Sequence, residues 1–176
     1  MSTTFYVDGA NGKDTNSGEA EGAAWKSLKR VNEGKSGKGY EEGDRILFKG
    51  GAEHSPEVTS GLGALLKPPS NGKSGAPIIF GSYGSGKGVL KTSEGHYHVE
   101  LEGKNWLVFE NLVLETEELN KSTEYNAKAG GFGTPTGGAA TTHITIKNCE
   151  AFWCGLFIYL SRPPKPQTST GLLNTT

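Results

Sequence analysis

Trp106-Leu107-Val108-Phe109-Glu110-Asn111-Leu112-Val113-Leu114 lies without a gap over His143-Ile144-Thr145-Ile146-Lys147-Asn148-Cys149-Glu150-Ala151. Each stretch alternates apolar and polar residues, the period of a strand with one buried face, then meets an asparagine where the strand must bend. Side chains alternate across a strand, so parallel copies stacked about 4.8 Å apart predict Leu107 over Ile144 and Phe109 over Ile146, all pointing inward. Trp106 over His143, Val108 over Thr145 and Glu110 over Lys147 then face out. Asn111 and Asn148 are expected to be buried at the bend, donating and accepting along the stack.

Earlier copies of the same figure occur in EEGDRILFKGG, with Ile46 and Phe48, and in PIIFGSYG, with Ile78 and Phe80. From Phe48 to Phe80, Phe109 and Ile146 the steps are roughly thirty to thirty-seven residues, a period that signals stacked repeats. Further short strands are expected at 88–91, 98–102 and 155–160. The Gly-, Thr- and charge-rich segment 115–142 reads as one long loop leaving the coil, and such loops commonly carry binding residues.

The chain opens with a strand at 4–7 and a cluster of Gly, Asn and Asp that can only turn. From Trp25 the apolar residues Trp25, Leu28 and Val31 recur every third position, which predicts a short helix with one apolar stripe, suited to capping a stack. The last stretch, 161–176, has prolines at Pro163, Pro164 and Pro166 and no amphipathic cap, so it reads as an irregular tail. A stack left open there exposes strand edges, and the expectation is a C-terminally incomplete domain able to self-associate through that edge.

Composition narrows the function classes. Eighteen basic against nineteen acidic residues, with a pI near 6.4, leave no electrostatic footprint for nucleic acid. No apolar run reaches the roughly twenty residues needed to cross a bilayer, and the opening MSTTFYVDG does not read as a signal peptide. The 27 glycines in 176 residues follow no three-residue period and read as tight turns between short strands of a single domain.

Tyr6, Val7, Asp8, Gly12, Asp14, Asn16 and Gly18, followed by Trp25-Lys26-Ser27-Leu28 and then Gly43-Asp44 with Ile46 and Phe48, form a recurring combination. On these residues the chain resembles, over roughly 4–160, the pectate-lyase-like (pectin lyase-like) superfamily. Glu42 stands where proline is common in that group. The resemblance implies an all-β, right-handed parallel β-helix (a solenoid) with a short N-terminal capping helix. One domain would then span 1–176, with strand, loop and cap in 1–40, coils in 41–160 and the tail beyond.

It further implies a polysaccharide as partner, handled by a polysaccharide lyase or glycoside hydrolase acting on acidic or plant- or algal-type glycans. The catalytic coils are expected beyond Thr176, leaving this portion inactive alone. An extracellular location is implied, and calcium stays open as a cofactor of the whole protein. Because the same fold also serves adhesin- and fibre-like modules, a non-catalytic binding or structural role is the alternative.

Glu110 beside Lys147 has the composition of an acid–base pair next to a sugar carboxylate, and equally that of a cross-strand ion pair. His143 beside Trp106 offers a proton carrier and a sugar-stacking ring, or an aromatic covered by the long loop. Trp153, Tyr159 and Phe152 are further candidates for a sugar platform, or for core. Asp8, Asn11, Asp14 and Asn16 carry oxygens at close intervals, but the order departs from an EF-hand and fits Asx turns, so no metal ligand is assigned. Cys149 aligns with Leu112 and is expected inside, with neither an exposed thiol nor a base beside it indicated, and Cys149 and Cys154 read as two free thiols. GSYGSGKG, at 81–88, lacks the Gly-Lys-[Ser/Thr] ending of a phosphate loop and reads as a β-turn.

Overall fold

The computed structural model describes residues 1–55, 64–92, 97–101, 103–116, 130–134, 139–152, 154 and 156–160. The described chain is all-β apart from one short helix and two single 3-10 turns. Its strands are β1 (Thr4–Val7), β2 (Arg45–Lys49), β3 (Glu53–His54), β4 (Ala64–Leu66), β5 (Ile78–Tyr83), β6 (Gly88–Thr92) and β7 (Tyr97–Glu100). They continue as β8 (Asn105–Glu110), β9 (Leu112–Thr116), β10 (Gly130–Thr134), β11 (Thr142–Lys147), β12 (Glu150–Phe152) and β13 (Leu156–Leu160).

These strands form three sheets, ordered β1-β2-β5-β8-β11, β3-β6-β9-β12 and β4-β7-β10-β13, and the ladders within them are parallel. From β2 onward the chain visits the first, second and third sheet in turn, then re-enters the first one strand further along. Leu107 pairs with Ile144, Phe109 with Ile146 and Glu110 with Lys147, the register read from the two aligned stretches.

One inward row of the first sheet runs Phe5, Ile46, Phe80, Phe109, Ile146. Phe80 and Phe109 stack at 5.3 Å with planes 13° apart, and Phe132 of the third sheet meets Phe109 edge-on at 5.1 Å. Leu90 and Leu114 of the second sheet and Leu66 and Val99 of the third close the interior, all fully buried. Burial loosens in the last row, where Ile144, Ile146, Cys149, Ala151 and Cys154 are only partly covered and Ile158 is 43% exposed.

The opposite end is capped. Helix α1 (Leu28–Glu33) buries Leu28 and Val31. It starts later than the Trp25 spacing predicts: Ser27 Oγ accepts from Arg30 N–H as the N-cap and donates to Asp14, whose carboxylate also accepts the N–H groups of Lys26 and Ser27. Trp25 instead bridges to Val7 as extended chain and stacks on Phe5 at 4.9 Å. Gly18 is obligatory beneath it, because a Cβ there would lie 2.4 Å from the indole. Asn32 donates to Leu65 O and accepts from Lys67 N–H, so the helix also satisfies the backbone along β4, at the edge of its sheet.

Two further sequence expectations are corrected, and two strands were missed. Segment 115–142 is not one loop, since it contains the end of β9 and all of β10, a fully buried strand between β7 and β13. Its glycines hide it from strand propensity, yet Gly130 is needed where Tyr97 packs: a Cβ there would stand 2.4 Å from the ring. β3 and β4 were not anticipated, being too short for alternation to show. Asn111 and Asn148 do form a ladder, with Asn148 Nδ2 donating to Asn111 Oδ1 at 2.6 Å, but Asn148 is exposed and Asn111 half-buried. Both sit at positive φ, 57° and 50°, a conformation asparagine tolerates better than most residues. The 161–176 tail lies outside the described residues.

Candidate functional site

The outward face of the first sheet gathers most of the candidates. Glu110 Oε2 lies 2.7 Å from Lys147 Nζ, and Glu110 Oε1 lies 3.4 Å from Arg45 Nη2, two strands away on β2. That span needs an empty position on β5 between them. Gly81 supplies it: a Cβ there would stand 3.0 Å from Glu110 Cγ and 3.4 Å from Leu47 Cδ2. The Glu110 side chain is 14% exposed and that of Lys147 61%, so the carboxylate is the sheltered member. With a cation at each oxygen, Glu110 is engaged on both sides, and a substrate must displace Arg45 or Lys147 to reach it. The arrangement is suited to orienting polar groups on the sheet surface.

At the other end of the same strands Trp106 and His143 stack at 3.8 Å with planes 12° apart. Both sit at positive φ, 57° and 53°, which turns the two rings out together at the corner. Gly72 crosses behind them, because a Cβ there would meet Trp106 O at 2.5 Å. Thr142 Oγ1 donates to Asn105 Oδ1 at 2.6 Å, so at 2.9 Å from His143 Nδ1 it is the acceptor. Neutral His143 therefore carries its proton on Nδ1 and turns the Nε2 lone pair outward. Four strand steps of about 3.3 Å each separate this platform from Glu110 along β8.

Trp153 lies outside the described residues. Tyr159 pairs through its backbone with Gly133, and Phe152 is 49% exposed, beyond Glu115 on the second sheet. Sequence reasoning missed Arg45 and Gly81. Setting Phe80 over Phe109 puts Gly81 behind Glu110, and that coincidence was the available signal.

Among the described residues no group of three His, Cys, Asp or Glu is placed to hold a metal. Asp8 and Asp14 spend their oxygens on protein donors, Asp8 on the N–H groups of Ala10 and Asn11 and on Lys49 Nζ at 2.6 Å. Burial alone would raise the Asp8 carboxyl, but these hydrogen bonds outweigh it and hold it below the ordinary range. Burial pushes both thiols up, and Cys149 packs against the core, so neither cysteine is activated. Two histidines, His54 and His98, are buried within the stack, and burial outweighs their hydrogen bonds to hold both below the usual 6.5. No helix among the described residues is long and apolar enough to cross a membrane.

No protein-family model matches the chain. Over 94 residues, 52% of the chain, it is 36% identical to a lacto-N-biosidase of Bifidobacterium longum subsp. longum, of which it spans 5%. Its structure superposes on that of a GH136 lacto-N-biosidase from Eubacterium ramulus, in the selenomethionine derivative, with a TM-score of 0.70 at 19% identity. The native crystal of that enzyme gives 0.65 at 18% identity, and each match covers 92% of this chain and 31% of the other. The chain thus spans less than a third of the solved enzyme, and over that stretch the two share a fold.

Proposed function

We propose that this chain is the first part of a glycan-active protein of the glycoside hydrolase kind, wound as a right-handed parallel β-helix. The observation that carries the reading is the 36% identity to a lacto-N-biosidase. The structural match to a second lacto-N-biosidase, at a TM-score of 0.70, supports it. The cyclic visiting of three parallel sheets supports the coil, and right-handedness follows the rule for parallel crossovers. Neither relative favours a lyase, so hydrolysis of a glycosidic bond is the reaction proposed for the whole protein.

Within this chain the Trp106–His143 platform is the proposed sugar contact, its flat face matched to the apolar face of a pyranose. Glu110 and Lys147, with Arg45, are proposed to anchor the sheet surface beneath it rather than to carry the chemistry. Catalytic residues are proposed on rows after the last one described, whose partly covered Ile144 and Ile146 would receive the next layer. A chain cut there is proposed to self-associate through the same edge.

The test is hydrolysis by the full-length protein across neutral and acidic oligosaccharides, including a lacto-N-biosidase substrate, with Trp106→Ala alongside. Cleavage of a neutral glycan, weakened in KM by Trp106→Ala, is expected. Absence of cleavage across the panel would overturn the enzyme reading. The saturated state of Glu110 favours the second reading, a non-catalytic glycan-binding module, which predicts binding without turnover.

A further inference from the structure

We infer that the corner joining β1 and β2 to β3 is a second saccharide subsite, separate from the Trp106–His143 platform and selective for neutral sugars. The inference rests on the glycan reading above. An open groove of about 400 Å³ lies there, walled by Asp8, Ala10, Lys49, Gly51 and Glu53. That volume falls within the roughly 300–1,000 Å³ of small-ligand clefts.

Glycines shape the groove. Gly9 presses against β3, where a Cβ would stand 2.3 Å from Glu53 O, and a Cβ at Gly50 would stand 2.3 Å from Ser85 O. Gly51, at φ +70°, would meet nothing closer than Ser85 O at 3.8 Å, so its side stays open. Two tyrosines stand on neighbouring strands, outside the groove's own lining. Tyr6 lies on the same outward side of β1 as Asp8, Tyr83 is the register partner of Lys49, and their half-buried rings meet edge-on at 5.1 Å.

Charged side chains line the groove. Asp8 fixes Lys49 Nζ at 2.6 Å, leaving the ammonium further protons to donate. Glu53, also in the lining, is exposed, with Oε1 2.9 Å from Lys91. A donor and an acceptor lining one groove suit the hydroxyls of a pyranose. The lining carries two carboxylates, Asp8 and Glu53, against one lysine, and Lys91 beside Glu53 is shared with Glu115, so the groove holds no excess of positive charge and a uronate or phosphate gains nothing by entering.

Saturation-transfer NMR of the intact chain with galactose, N-acetylglucosamine and galacturonate tests this, using Ala10→Trp, Lys49→Met and Trp106→Ala. Ala10 is exposed on the groove wall, so tryptophan there fills the space without touching the core. With the platform removed by Trp106→Ala, the expected result is residual binding of a neutral sugar that falls about tenfold when Ala10→Trp or Lys49→Met is added, with galacturonate weaker. Unchanged binding in both groove variants, a preference for galacturonate, or no sugar bound at all would overturn the subsite. Hydrolysis by the full-length protein would still stand in each of those cases, which separates this failure from failure of the enzyme reading.

Discussion

Gly81 lies directly behind Glu110, so close that a single added methyl would stand 3.0 Å from Glu110 Cγ. The absence of a side chain at that one position lets the carboxylate cross β5 and reach Arg45 on β2.

Gly81→Val should therefore remove the Arg45–Glu110 contact and cost about 1–3 kcal/mol through overpacking. A double-mutant cycle with Arg45→Ala and Glu110→Gln should show a coupling of about 0.2–1 kcal/mol in the parent chain. In the Gly81→Val background it should vanish. Coupling that survives there would mean the contact does not depend on the gap.

The asparagine ladder makes a different demand. Asn111 combines positive φ with a hydrogen bond from Asn148, so Asn111→Ala should lose about 1–2 kcal/mol to the left-handed backbone alone. Asn111→Gly should lose less, since glycine adopts that conformation freely and forfeits mainly the side-chain bond. Urea unfolding midpoints should rank parent, glycine, alanine.

Two phenylalanines separate core from surface. Phe109, fully buried between Phe80 and Phe132, should cost about 3–5 kcal/mol on truncation to alanine. Phe152→Ala, at a half-exposed site, should stay within about 0.5 kcal/mol. Comparable losses at both would contradict the interior described above.

Stability should also fall on acidification in two stages. His54 and His98 have folded pKa values below 6.5, so the unfolded chain binds protons first, and stability drops as pH falls from about 6.5 towards those lowered values. Asp8 and Asp14 are held below 3.8, so their contribution is present above that value and is lost as pH falls through their folded pKa values. Denaturation midpoints measured at pH 7.5 and 5.5 should differ, and His54→Gln with His98→Gln should shrink the difference.

The central rows were legible because the β8–β9 and β11–β12 stretches match residue for residue without a gap, so Leu107, Phe109 and Asn111 could be set over their partners by inspection. β10 was not, because Gly130, Gly131 and Gly133 carry no alternation and Phe132 alone marks the buried side. β3, at two residues, is held by its neighbour β6 rather than by its own propensity. Trp106 was paired with His143 from the alignment alone. The Tyr6–Tyr83 contact required knowing that β1 and β5 both flank β2, which no local pattern reveals.

The parallel circuit through three sheets has a consequence for how such a chain can change in length. One extra residue inside β8 would swing every later side chain of that strand to the wrong surface. A tandem copy of the whole stretch 106–142 would instead arrive with its own inward and outward residues in phase, adding a storey while leaving those above and below matched. Growth by gene-internal duplication of complete turns is thus the mutational path this architecture forgives most readily.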